Sequence, residues 1–364
     1  MMSAIYIDNK IKGAIKQLIN YFIEGVFSRD NTEVVFKSHR ESFLYYKREL
    51  EKYEIPYRYF VNINRLDMNK YKAVFYLFNA QSNCRILTFR NAKHIFVTHG
   101  ESNKLASIKP IIRIYDYIIC AGDVGVRRYL QHKIFTQDDF CRYRILKMGD
   151  TFIGDNPYKR AYQKEGAYIL YAPTWEGGIK AEQYSSLSAD LYAFKKIVQY
   201  AKISRLEKVL IQPHPNIGHR DKRYRRYLEK GISFLRKNGL QVNILGYKHK
   251  GFLAQLFNRE AVKVTETTYH IYRAFVDVSA MEIQLLNKLI PTNIFINQAE
   301  NAILKDSLLQ DYYKQITIKE NGDFGLVENL EQIRDFYISY SFEELKDMPK
   351  HKRIDWLVNF VAKE

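Results

Sequence analysis

Residues 167–178 read AYILYAPTWEGG. Five apolar or aromatic residues, Ala167 to Tyr171, stand in a row and then give way to Ala172-Pro173-Thr174-Trp175 and a glycine pair. A run that short, rich in strand formers and closed by proline, reads as a strand buried on both faces. Buried strands of this kind belong to parallel sheets covered by helices, which alternate with them along the chain.

That alternation continues downstream. A helix is predicted around 187–202, then a strand Lys208-Val209-Leu210-Ile211, a basic helix over about 220–238, and strands at Val242–Leu245, Ala274–Val278 and Pro291–Phe295. Upstream, strands are predicted at Glu33–Phe36, Tyr57–Val61, Ala73–Leu77, His94–Val97, Tyr117–Ala121 and Tyr143–Leu146, with a charged helix around 40–53. Between the two series, residues 151–166 are polar, turn-rich and without period, which marks a boundary. Ile11, Ile15, Leu18, Ile19, Phe22 and Ile23 follow a helical spacing, so residues 1–30 are read as one or two amphipathic helices. The expectation is an α/β protein of two Rossmann-like domains, 1–155 and 165–325, with helices over 326–364 packing back on the first.

A chain of 364 residues is longer than one core usually supports, and 46% hydrophobic with 27% charged residues is an ordinary globular balance. Cys84, Cys120 and Cys141 are widely spaced and form no CxxC pair, which points to a reducing, cytoplasmic compartment and to no metal cluster. Lys10, Lys12, Lys16, Asn20 and Glu24 interrupt the apolar N-terminus too often for a signal peptide or a membrane span.

The formal net charge of +17 calls for a polyanionic neighbour. Nucleic acid is disfavoured, because the 29 Tyr and 22 Phe fall in no RNP strand, zinc finger or helix-turn-helix. Phosphorylated substrates and an anionic membrane face remain, the latter as a peripheral contact on the inner side.

In open parallel sheets, ligands collect beyond the carboxyl ends of the strands, where loops and helix N-termini present free N–H groups. Four motifs occupy such places: Thr98-His99-Gly100 with Lys104, Ala172-Pro173-Thr174-Trp175, Gln212-Pro213-His214-Pro215 and Asp277-Val278-Ser279-Ala280. An imidazole titrates near neutrality, so His99 suits a general base, with a turn-bonded histidine as the plain alternative. His214, stiffened by Pro213 and Pro215, can donate to a diphosphate oxygen. Ser279 can cap the next helix, either alone or around a phosphate. Lys104, Thr174 and Trp175 are candidate donor contacts. His214 and His219 do not have zinc spacing, and no cofactor or resident metal is expected.

Taken in order, HGESNK at 99–104, YAPTW at 171–175, the pair His214-Pro215 and DVSA at 277–280 resemble the CDP-glycerol glycerophosphotransferases, the teichoic-acid and capsule polymer enzymes. That family carries HGxxxK, APTWR, a histidine-proline pair and DYSS in this order. The resemblance spans about 90–300. The chain departs from it at Glu176, where arginine is usual, at Val278 and Ala280, and at Ile283-Gln284.

The resemblance implies a GT-B-like fold whose parallel sheets face a central cleft. It implies catalytic roles for His99 and His214, and donor contacts from Gly100, Lys104, Thr174, Trp175, Pro215, Asp277 and Ser279. The activity implied is transfer of a polyol phosphate from a CDP-linked donor to a hydroxyl of a glycan or lipid-linked acceptor. Two other readings stand beside it: a GT-B glycosyltransferase using a nucleotide sugar, and a non-catalytic polyanion-binding module.

Overall fold

A computed structural model of the chain describes residues 2–10, 14–97, 101–245, 268–296, 306–319 and 323–363. The chain divides into two compact units. The first comprises Met1–Glu101, Ile108–Asp155 and Asp335–Glu364, the second Ser102–Ser107 and Asn156–Arg334. Each is α/β and built on a parallel sheet.

The first unit holds seven strands: β1 Ser3–Ile7, β2 Thr32–Lys37, β3 Tyr57–Phe60, β4 Ala73–Tyr76, β5 Lys93–Val97, β6 Tyr117–Cys120 and β7 Ile145–Lys147. They lie in the order β3-β2-β1-β4-β5-β6-β7, all parallel. Its helices include α1 Ala14–Ile23, α2 Phe43–Lys52, α3 Asp123–Gln131 and α4 Gln137–Cys141. Alternate strand residues face opposite ways. Ile5, Ile7, Val34, Phe36 and Phe75 pack with Ile15, Leu18, Ile19 and Phe22 of α1 and with Ile354, Leu357 and Val361 of the C-terminal helix Lys350–Val361. Ala4, Tyr6, Val35, Val74 and Tyr76 pack on the other face with Val126 and Tyr129 of α3.

The N-terminus corrects the sequence reading. Residues 3–7 are a strand, not part of a helix, and that strand lies inside the sheet, with β2 on one side and β4 on the other. Every residue of β1 is buried. A strand covered on both faces shows no alternation, so its run SAIYI merged with the helical pattern beyond it. Of that pattern, Ile15, Leu18, Ile19 and Phe22 are buried in α1 while Ile23 is largely exposed; Ile11 lies outside the described residues.

The second unit holds β8 Tyr158–Arg160, β9 Tyr168–Ala172, β10 Lys208–Ile211, β11 Gln241–Ile244, β12 Tyr269–Asp277 and β13 Thr292–Phe295, with α5 Tyr192–Ser204, α6 Arg223–Lys237, α7 Ala280–Asn287 and α8 Ser307–Ile316. The path runs β11-β10-β9-β12-β13, and β8 adds to β12. All pairings are parallel. The polar stretch 151–166, read as a featureless boundary, therefore contributes a short strand to the second sheet. Phe194, Ile197 and Ala201 of α5 and Leu228, Ile232 and Leu235 of α6 cover one face over Ile169, Tyr171, Val209 and Ile211.

Chain order against spatial order locates the crevices. The first three strands of each main path run outward in one direction, and the fourth starts again on the other side of the first. The reversal falls between β1 and β4 in the first unit and between β9 and β12 in the second. Helices leave these two strands toward opposite faces, which opens a gap at their carboxyl ends.

Candidate ligand site at the carboxyl edge of the second sheet

β9 and β12 deliver Thr174 and Asp277 to the same point. Asp277, the last residue of β12, is fully buried, and its Oδ2 accepts the Thr174 N–H at 2.7 Å. Its Oδ1 makes no hydrogen bond among the described residues. Burial pushes this carboxyl up to about 7; Ser186, the Thr174 N–H and the charge of Lys104 oppose that rise without cancelling it.

Lys104 enters from the segment Ser102–Ser107, which packs with this unit. Its Nζ donates to Thr174 Oγ1 at 3.0 Å and lies 5.7 Å from the centre of the buried Tyr184 ring. Desolvation lowers its pKa to about 8, against the opposing pull of Asp277 and Glu182. Two anchors flank it. On one side Asn103 Nδ2 donates to the Tyr313 hydroxyl, which donates in turn to Glu282 Oε1 at 2.6 Å. On the other the Leu105 N–H donates to the Tyr184 hydroxyl at 3.1 Å. The residues on either side of Lys104 are thus fixed, and an ammonium beside a hydroxyl at a strand end has the chemistry to hold an anion.

A cavity of about 400 Å³ opens on the same edge. Ser185, Ser186 and Ser188 supply hydroxyls to its wall, and Tyr192, Tyr224 and Tyr227 supply rings. Ser186 also shares a 2.8 Å hydrogen bond with the Tyr171 hydroxyl, so it ties the cavity wall to the strand that carries Thr174. Hydroxyls that converge beside rings can orient a small polar molecule.

Beside this cluster, Trp175 stacks on His214, ring centres 5.9 Å apart and planes 14° from parallel. The His214 N–H donates to the Pro173 carbonyl at 3.1 Å, which sets β10's exit against that of β9. Its Nδ1 accepts the Asn216 N–H at 3.1 Å, so in the neutral ring the proton sits on Nε2.

Glu176, a departure from the resembled pattern, has a definite task. It is fully buried, and its carboxylate accepts from the backbone N–H groups of Gly218 at 3.0 Å, Arg220 at 2.8 Å and Asp221 at 3.0 Å. Burial raises its pKa, and these N–H bonds more than reverse the rise, leaving it below the ordinary carboxylate value. Arg220 closes the link by donating to the carbonyls of Glu176 and Gly177. Gly177 has φ +72°, and a Cβ there would stand 2.3 Å from the Glu182 carbonyl oxygen, so the turn admits only glycine.

Of the residues singled out in the sequence, the structure brings Lys104, Thr174 and Asp277 into one cluster, and Trp175 and His214 into one stack. Ser279 sits at the N-cap of α7, but its hydroxyl makes no capping hydrogen bond. Pro215 is exposed in the loop after β10. His99 and Gly100 lie outside the described residues. Asn103, Tyr184, Ser186 and Tyr313 went unremarked, since each acts through contacts distant in sequence. Among the described residues no group of three His, Cys, Asp or Glu is arranged to hold a metal, and no helix is long and apolar enough to cross a membrane.

No family model matches the chain, and no curated protein matches it. Among solved structures it is similar to Alr3699/HepE of Anabaena, in complex with UDP and glucose, at 10% identity and a TM-score of 0.49, over 99% of this chain and 100% of that one. It is similar to the lipopolysaccharide outer core galactosyltransferase WaaB at 13% identity and 0.46, over 99% of both. The wall teichoic acid polymerase TagF, soaked with CDPG, matches at 10% identity and 0.41, over 99% of this chain and 88% of that one.

Proposed function

We propose that the chain is a GT-B-type transferase of cell-envelope polymer synthesis, which moves a polyol phosphate from a CDP-linked donor to a hydroxyl of a glycan or lipid-linked acceptor. The observation that carries this reading is the meeting of Lys104, Thr174 and Asp277 at the strand-order reversal of the second sheet. Three of the four motifs behind the resemblance, far apart in sequence, contribute one residue each.

In this reading the second unit holds the donor. Lys104 and the Thr174 hydroxyl take the diphosphate, and the aromatic cavity beside Ser186 takes the nucleoside. His214 donates from Nε2 to the departing cytidine monophosphate, and Ser279, with the N-terminus of α7, adds N–H groups. The resemblance assigns His99 as the base that takes the proton of the acceptor hydroxyl as its oxygen attacks the β-phosphorus. The oxygen–phosphorus bond forms, the bridging bond to the nucleotide breaks, and a phosphodiester results. Proton transfer of this sort contributes about 10²- to 10⁴-fold, so positioning and charge supply the rest.

Incubation with CDP-glycerol, CDP-ribitol and UDP-sugars tests the assignment. Cytidine monophosphate released from a CDP-polyol, and diminished in Lys104→Met and Thr174→Val, is the expected result. Release from UDP-sugars alone would overturn the phosphotransferase reading and leave a glycosyltransferase.

A further inference from the structure

The cavity beside α6 offers directed hydrogen bonds as well as rings. Gln183 and Tyr224 both line it, Gln183 from the loop after β9 and Tyr224 from the first turn of α6. Nε2 of Gln183 donates to the Tyr224 hydroxyl at 2.5 Å and to the Ser185 carbonyl at 3.4 Å. A carbonyl oxygen only accepts, so the amide nitrogen belongs on that side and the group is held in one orientation.

Both N–H groups of the amide are then engaged. Oε1 of Gln183 makes no hydrogen bond among the described residues, and the proton of the Tyr224 hydroxyl has no acceptor among them. The joined pair therefore presents one free acceptor and one free donor. Rings accompany it in the cavity wall: Tyr227 meets Tyr224 edge-on with centres 5.6 Å apart, and Tyr192 meets Phe295 edge-on at 6.1 Å. Such rings suit a flat base, which stacks on aromatic faces whatever its hydrogen-bonding edge.

The edge is where pyrimidines differ. Cytosine carries a 4-amino donor next to the N3 acceptor, the complement of an acceptor next to a donor. Uracil carries a 4-carbonyl acceptor next to an N3–H donor. The Tyr224 hydroxyl can serve either base, since it rotates and keeps a lone pair. The amide cannot, because turning it would set Oε1 against the Ser185 carbonyl. Facing uracil, Oε1 would meet a second acceptor and stay unpaired.

We propose that Gln183 determines which base this cavity accepts: its Oε1 takes the 4-amino group of cytosine, the Tyr224 hydroxyl donates to N3, and uracil is refused by an amide that cannot turn. The placement of a nucleoside in this cavity rests on the transferase reading above. The choice between bases rests on the amide.

Calorimetric titration of the full chain with CDP and UDP tests this, since the two nucleotides differ only in the base. CDP is expected to bind at least about tenfold more tightly, the worth of one hydrogen bond made against one refused. Gln183→Met, similar in length and without a polar amide, should weaken CDP and bring the ratio below about threefold. Tyr224→Phe, which keeps the ring, should also narrow the ratio, and it stays readable if Gln183→Met loses both nucleotides. Loss of the tie between the loop and α6 would lower thermal stability without moving the ratio, so the ratio reports on the base alone. Lys104→Met should weaken both nucleotides alike, which reads the diphosphate contact apart from the base contact. Equal affinity for CDP and UDP in the unaltered chain, or a ratio that survives both substitutions, would overturn the proposal. A preference for CDP that falls in Gln183→Met, with no cytidine monophosphate released from any CDP-polyol, would sustain it and overturn the transferase reading instead.

Discussion

Lys104 donates from Nζ to the hydroxyl of Thr174 across 3.0 Å, although 70 residues separate the two. The contact places a partly desolvated ammonium at the exit of β9.

Binding of nucleoside diphosphate should therefore follow the charge of Lys104. With its pKa lowered to about 8 by burial, the free protein loses the ammonium as pH rises through that value. The dissociation constant for CDP should be flat below about pH 7 and rise roughly tenfold per unit well above 8. Lys104→Met should bind about 10- to 100-fold more weakly at pH 7 and show no such rise. Calorimetry between pH 6 and 9.5 reads both effects.

Asp277 governs stability over a lower range. Its pKa is raised by burial from 3.8 to about 7, so the folded state holds the proton more firmly than the unfolded chain does. The stability that follows is complete below about pH 4 and is lost as pH rises through 7. The urea midpoint should fall between pH 5 and 8. Asp277→Asn, whose amide oxygen can still accept the Thr174 N–H, should flatten that slope, by an amount on the order of 2 to 4 kcal/mol at pH 8.

Glu176→Gln keeps the side chain's size and removes the charge that gathers the N–H groups of Gly218, Arg220 and Asp221. A loss of about 1–3 kcal/mol is expected in thermal unfolding. Glu176→Arg, which restores the residue of the resembled pattern, should release the 218–221 turn and speed tryptic cleavage after Arg220.

Tyr313→Phe cuts the bridge from Asn103 to Glu282. A cost of about 1–3 kcal/mol follows from leaving buried polar groups unpaired. Because that bridge also steadies Lys104, CDP affinity should fall while the Lys104→Met background shows no further fall; equal losses in both backgrounds would mean that the bridge does not act through Lys104.

Most of the two sheets could be read from the chain. Strands such as Ala73–Tyr76 and Tyr168–Ala172 announce themselves as short apolar runs between polar turns. β1 did not, because a strand buried on both faces lacks alternation and here runs on toward a helix with apolar residues of its own. β8 lies in a stretch whose composition is that of a linker, and only its pairing with β12 makes it a strand.

The candidate site divides in the same way. Lys104, Thr174 and Asp277 stood in recognisable motifs at strand ends. Asn103, Tyr184 and Tyr313 support them through single hydrogen bonds, which leave no local pattern. The pair Gln183 and Tyr224 is 41 residues apart and exists because the loop after β9 meets the start of α6, a proximity that no linear motif records.

The second unit draws six residues, Ser102–Ser107, from the middle of the stretch that otherwise builds the first. An expression clone beginning at Asn156 would encode every strand of the second sheet and omit the only lysine that reaches Thr174 among the described residues. Such a fragment would lack the Lys104–Thr174 contact, so a negative result with it would not test the nucleotide binding proposed for the full chain. Supplying that hexapeptide through a designed linker, rather than trimming further, is the rational route to a minimal binding fragment.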